Sequence, residues 1–270
     1  MLEYGMNRLF TDLVDDAGLF PPTSLPMGDA LARHHADEAA GSPVLTHRFL
    51  CPASRVPDLL RHEPGDIRLG LIMDTDQPPD LDGLTVEFVE LKMPSGALVP
   101  GPRGERLVPW LPPQGRLFVE VPAGSPPAQV APGVGLKVRC GGLTPEAFPS
   151  TRELGGFIRH CVRDGVPFKA TAGLHHAVRH PDPSFGVYRH GFLNLVLAVS
   201  AAVEGRDPVA VLEICDPAEL VALAHATSEE TAERTRSLLV SYGSCSTSAP
   251  LDDLAELGLL PGTARTKEPR

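Results

Sequence analysis

No stretch of this chain approaches the roughly 20 consecutive apolar residues that a membrane-spanning helix requires, so no membrane contact is expected. No signal peptide is expected either, since Met1-Leu-Glu-Tyr-Gly5 is followed closely by Asp12, Asp15 and Asp16. The five cysteines (Cys51, Cys140, Cys161, Cys215 and Cys245) are odd in number and form no C-x-x-C pair. That speaks against a disulfide framework and for a reducing compartment, and the expected location is the cytoplasm. Basic residues are scarce, with 24 Lys and Arg against 34 Asp and Glu and a net charge of -10. No basic run interleaved with aromatics occurs, which argues against a nucleic-acid partner. Neither G-x-G-x-x-G nor G-x-x-x-x-G-K-[ST] is present, so nothing invokes a nucleotide-binding doubly wound sheet.

Proline and glycine are abundant, 29 and 26 residues with no repeating period, and imply many tight loops. The 270 residues suit a single α/β unit, since α/β barrels run to about 250 residues. The pattern predicts strands at 47–52, 68–74, 85–92, 116–121, 135–140 and 167–172. Two weaker strands are expected at 185–189 and 238–245. Helices are expected over 1–14, 26–40, 55–62, 192–203 and 206–240, the last divided by Pro208 and Pro217. Another starts at the capping box Ser150-Thr-Arg-Glu153 and runs to about Gly165, and a short one follows Pro250.

Strands alternating with helices imply parallel pairing, and the expected fold is a (β/α)8-like TIM barrel with extra N- and C-terminal helices. The connection 76–83 is too short and proline-rich for a crossover helix, so an incomplete or distorted barrel is expected there. Residues 1–44 would form a helical segment packed on a barrel of 45–262, with 263–270 a disordered tail. Asp15-Asp16-Ala-Gly-Leu-Phe-Pro-Pro22 reads as a helix end with a glycine stop, or else as a lid or plug of the barrel. Trp110 and Pro112-Pro113 read as loop packing.

Two runs carry the chemistry: Gly135-Leu-Lys-Val-Arg-Cys-Gly-Gly142 and Pro167-Phe-Lys-Ala-Thr-Ala-Gly-Leu-His-His176. Each places a lysine inside an apolar strand, where desolvation disfavours the ammonium form. Alternation groups Glu90 with Lys92, Lys137 with Arg139, and Lys169 with Thr171, each pair on one strand face. Together with Glu120 and Asp74, these polar residues lie near strand ends, where barrels place their chemistry. A neighbouring cation lowers a lysine's pKa and favours the nucleophilic amine. The competing reading is a set of bracing ion pairs such as Glu90–Lys92 or Glu120–Arg139.

The paired-lysine strands 136–142 and 168–174, followed by Tyr188-Arg-His-Gly191 before an apolar helix, resemble deoxyribose-phosphate aldolase over residues 135–195. The resemblance implies that Lys137 forms a Schiff base, that Lys169 tunes it, and that Gly141, Gly142, Gly173 and Gly191 lie where that family binds substrate phosphate. No cofactor is implied. The sequence departs from the family in Arg139, Cys140, the His175-His176 pair and the long C-terminal extension. The chain also resembles a bacterial group sharing Gly18-Leu-Phe-Pro-Pro22, Phe168–His176 and Ser241-Tyr-Gly-Ser-Cys-Ser246, a group with no activity attached.

The leading expectation is therefore a class I aldolase-like lyase acting on a small polar carbonyl compound. Lys137, Lys169, Glu90 and Glu120 would be its catalytic residues. Arg139, Lys92, Thr171, His175, His176, Gly141, Gly142 and Gly173 would contact the substrate, and a homo-oligomer is compatible with the sequence. Two alternatives stand beside it. One is a metal-dependent barrel hydrolase or isomerase using His175, His176 or His180 with Asp74 or Glu90. The other is a non-catalytic metabolite-binding barrel whose lysines only clamp an anion. Tyr242-Gly-Ser-Cys-Ser246 lacks the G-x-S-x-G form, and a thiol nucleophile at Cys245 would need a base that the sequence does not identify.

Overall fold

The computed structural model describes residues 8–92, 110–111, 115–127 and 129–260. Ten strands are present among them: β1 (Val14–Asp16), β2 (Leu45–Pro52), β3 (Arg68–Ile72), β4 (Thr85–Lys92), β5 (Arg116–Val121), β6 (Val134–Arg139), β7 (Phe168–Thr171), β8 (His180–Asp182), β9 (Val187–Arg189) and β10 (Leu239–Ser244). Strands β1 to β7 and β10 pair in that order into a closed, all-parallel barrel, and β10 returns to β1. The fold is α/β and TIM-barrel-like.

Eight α-helices accompany it among the described residues: α1 (Met27–Ala40), α2 (Val56–Arg61), α3 (Thr151–Asp164), α4 (Phe192–Val203), α5 (Pro208–Leu212), α6 (Pro217–Ala226), α7 (Glu229–Leu238) and α8 (Ser248–Glu256). The expected departure from a regular barrel is real: residues 73–84 join β3 to β4 without a helix. The link from β7 to β10 is correspondingly long and holds a hairpin and four helices.

Local chemistry explains most of these boundaries. Ser150 accepts from the Glu153 amide at 3.2 Å, and Glu153 accepts from the Ser150 amide at 2.8 Å, so the capping box starts α3. Gly165 ends it in the left-handed conformation, φ 65°. Asp207 and Asp216 cap α5 and α6, each followed by a proline in the first turn, where the missing N–H costs nothing. Helix α4 is apolar apart from Asn194 and Ser200 because it is covered: Phe192 to Ala201 are all buried.

The main core fills the space between barrel and helices, while a smaller cluster of Ala17, Leu50, Phe88 and Phe118 lies within the barrel. The rings of Phe88 and Phe118 meet edge to face at 5.7 Å. Gly70 and Gly135 make room for them, since a Cβ on either would stand 2.4 Å from one of these rings.

Three expectations fail here. The described part of the N-terminal helix is a single 3-10 turn, Arg8–Phe10, and Val14–Asp16 is a barrel strand, so the barrel begins well before residue 45. Asp15 and Asp16 accordingly belong to a strand and not to a helix end. The reason is tertiary. The Leu13 amide donates to Val44 at 2.8 Å, and the Leu13 carbonyl accepts from Tyr242 at 2.9 Å. Arg236, half-buried, ties the same seam by donating to the carbonyls of Asp12 (2.9 Å) and Val240 (2.7 Å). Third, the expected strand at 185–189 is not a barrel stave. Its residues 187–189 form β9, which pairs only with β8 in a separate antiparallel hairpin. Trp110 is half-buried against the core, whereas Pro112-Pro113 and the tail 263–270 lie outside the described residues.

Candidate active site

The seven strands β1 to β7 carry a connected set of charges. On β4, Glu90 receives Lys137 through Oε2 in a very short contact and Lys169 through Oε1 at 2.9 Å. Lys137 also reaches Glu120 of β5 at 3.2 Å. Lys137 and Lys169 are direct register partners on β6 and β7, which explains why one carboxylate can serve both. Lys169 donates to Asp15 of β1 at 2.7 Å, and its ammonium stands 3.2 Å from the centre of the Phe88 ring. Asp15 further accepts from Ser241 (2.6 Å), Thr46 (2.8 Å) and Arg48 (2.6 Å). Arg48 continues to Glu87 at 2.7 Å, and Arg68 closes on the other oxygen of Glu87.

Burial grades this network. The Asp15 and Lys169 side chains are 0% and 1% exposed, Lys137 is 7%, and Arg139 at the strand end is 47%. The network reaches solvent at both ends, Arg68 at one and Arg139 at the other being 47% exposed each, and Lys137 lies on the side of Arg139, which bonds Glu120 at 3.2 Å.

The electrostatics follow from these pairings. Burial pushes the Asp15 carboxyl up, but Lys169 and Arg48 outweigh it and hold the group at about 2. Burial also opposes ionisation of Glu90 and Glu120, yet Lys137 with Lys169, and Lys137 with Arg139, keep them below the usual carboxylate range. The expectation that Lys169 lowers the Lys137 pKa is overturned. Burial does act in that direction, but Glu90 and Glu120 outweigh it and raise Lys137 above its ordinary value. At rest, Lys137 is an ammonium.

The remaining residues separate. Lys92 is exposed at the end of β4, opposite Glu120 in register, and Glu90 pairs with the two interior lysines in place of Lys92. Thr171 ends β7 beside Gly243, where a Cβ would stand 3.8 Å from its hydroxyl. Gly141 and Gly173 serve a close approach of two loops: a Cβ on Gly141 would lie 2.8 Å from the Gly173 Cα, and one on Gly142 2.6 Å from Ala147. The implied phosphate position at Gly191 is taken. The amides of Phe192 and Leu193, which open α4, donate to His176 and Ala177 at 3.0 Å each, so the helix start is already satisfied by backbone.

The histidines point to different partners. His175 faces Cys245 at 3.7 Å, His176 lies 3.6 Å from Asp253, and His180 bonds the Val178 carbonyl at 2.9 Å. Asp74 is engaged by the amide and hydroxyl of Ser54 at 2.8 and 2.5 Å. Among the described residues no group of three or more His, Cys, Asp and Glu side chains is placed to hold a metal ion, so the donor set expected from His175, His176, His180, Asp74 and Glu90 does not assemble.

Sequence reasoning missed Asp15, Arg48 and Ser241. Asp15 sits in a strand of three residues, too short for alternation to register. Arg48 and Ser241 do alternate with Leu50 and Gly243 and were legible in principle.

No family model, no curated protein and no solved structure matches this chain. The likeness to deoxyribose-phosphate aldolase therefore rests on the residues of 135–195 alone. Among the described residues, no helix is long and apolar enough to cross a membrane.

Proposed function

We propose that the barrel interior is a carbonyl-processing site at which Lys137 forms an imine, making the protein an aldolase-type lyase for a small polar aldehyde or ketone. One observation carries this reading: Lys137, 7% exposed, lies toward the Arg139 end of the network with two carboxylates in contact, while Lys169 beside it is 1% exposed and matched by Asp15.

The resting ammonium must first lose a proton, and Glu120 or Glu90 is in place to take it. The neutral amine then adds to the carbonyl carbon, and the carboxyl returns its proton to the departing hydroxyl as water leaves. As a carboxylate takes the proton of the β-hydroxyl, the Cα–Cβ bond breaks, its electron pair passes to the iminium to give an enamine, and the β-carbon leaves as a carbonyl product. Arg139 at the rim would hold an anionic or polar substituent.

A second reading, a metabolite-binding barrel without turnover, is favoured by the raised Lys137 pKa, which suits an anion clamp more than a nucleophile. Intact mass after borohydride reduction with a panel of small aldehydes and ketones separates the two. A reduced adduct in the native protein and in Lys169→Arg that is lost in Lys137→Arg is the expected result. No adduct with any carbonyl, together with ligand binding weakened by Lys137→Ala, would leave the binding barrel as the better account.

A further inference from the structure

At the mouth of the barrel, three loops that follow neighbouring strands converge on one sulfur. Cys245 directly follows β10; His175 follows β7; Thr23 lies in the loop between β1 and α1. These strands are adjacent in the barrel, in the order β1-β10-β7. The Cys245 Sγ lies 3.7 Å from Nδ1 of His175, and Thr23 adds a second hydrogen bond to the thiol. The charged groups packed nearby balance each other: Arg33 donates to the Cys245 carbonyl at 2.8 Å and pairs with Asp16, which also contacts His34 at 3.2 Å. The loop that holds Thr23 also carries Phe20, which packs on the interior cluster. Cys245 is 6% exposed, leaving access for a small molecule only.

Among the described residues, the other buried cysteines have no such histidine neighbour. Burial drives the thiols of Cys51 and Cys140 up to about 12. Burial also works to raise Cys245, but the hydrogen bonds from His175 and Thr23 prevail and bring it down to about 7. The base that a Cys245 nucleophile needs is thus present, 70 residues away in the chain.

We propose that Cys245 and His175 form a second nucleophilic site, distinct from the lysine network, which captures small aldehydes as thiohemiacetals. The thiol gives its proton to His175, and the sulfur lone pair forms a C–S bond to the carbonyl carbon. The C=O π pair moves to oxygen, and that oxygen takes the proton back from the imidazolium. Atoms and charge balance, and no oxidant or further reactant is consumed. The site does not depend on imine formation at Lys137.

Iodoacetamide labelling against pH, read by peptide mass, tests the pair in the full-length protein, with exposed Cys215 as an internal reference. Cys245 is expected to label with a pH midpoint near 7. At pH 6.5 it should react roughly fivefold faster than Cys215, the gain in thiolate being partly offset by weaker nucleophilicity. Both His175→Gln and His175→Asn should raise the midpoint by about one unit or more. Glycolaldehyde should slow the labelling of Cys245 in the native protein and equally in Lys137→Met, but not in His175→Gln. An ordinary thiol midpoint in the native protein, or labelling unchanged in both folded histidine variants, would overturn the pairing. Protection lost in Lys137→Met would show that the aldehyde is captured by the lysine and would overturn thiol capture. Protection retained with no borohydride adduct would leave Cys245 standing and remove the lysine reading alone.

Discussion

Asp15 and Lys169, 154 residues apart in the chain, meet at 2.7 Å in the middle of the barrel, and neither side chain is more than 1% exposed. A charge there has no water to turn to, so each group depends on the other and on its further partners. Removing only one side of the pair is predicted to be severe: Lys169→Met or Asp15→Leu should each cost about 3–5 kcal/mol. The double variant should cost less than the sum of the two. Urea unfolding of all four proteins measures the coupling, and simple additivity would mean that the pair does not act as a unit.

Acid should weaken the fold through the same residues. The Asp15 carboxyl is depressed from 3.8 to about 2, so its stabilisation is complete above the unfolded-state value and is lost as pH falls from about 4 toward 2. The shift corresponds to about 2 kcal/mol. Glu90 and Glu120 are depressed too and act in the same direction. Lys137, being raised, contributes stability at all pH values below the ordinary lysine range and loses it only as pH climbs past the folded value. Stability measured between pH 2 and 5 should fall steeply in the native protein and less steeply in a folded Asp15→Asn variant.

Gly173 is held at φ 73° with the Cys140 carbonyl 2.8 Å from where a Cβ would stand. Gly173→Ala therefore combines a left-handed backbone with a backbone clash, and a loss of about 1–3 kcal/mol is expected. Gly156→Ala, at a helical position with open space, is the control and should be neutral or mildly stabilising. Thermal unfolding of the two variants side by side checks the contrast.

The seam between β1 and β10 depends on Arg236. Arg236→Met keeps the apolar stem but leaves the carbonyls of Asp12 and Val240 without their donor, at an expected cost of about 2–4 kcal/mol. Amide hydrogen exchange should show faster exchange first at Leu13, Tyr242 and Ala17, whose amides or carbonyls join the strands there. Uniform acceleration over the whole barrel would contradict a local role.

Where a structural cue is local, the sequence alone was sufficient. Strands β4 and β5 run from Thr85 to Lys92 and from Arg116 to Val121 as the alternation predicts, and α3 begins at its capping box. The two lysine-bearing strands and their common inward face were also legible, because alternation over four or more residues assigns a face.

What only tertiary structure decided lies between distant residues. The three-residue β1 has no periodicity of its own and is a strand because β2 and β10 hold it. Glu90 was within reach of Lys92 along its own strand, but barrel closure turned it inward to Lys137 and Lys169. The charge state of Lys137 followed from that choice: two carboxylates in contact outweigh the desolvation of its ammonium. Cys245 found its base in the same way, through the adjacency of β10 and β7. Alternation and capping act over a few residues, whereas pairing, burial and electrostatics depend on which strands close the barrel, a property of the whole chain.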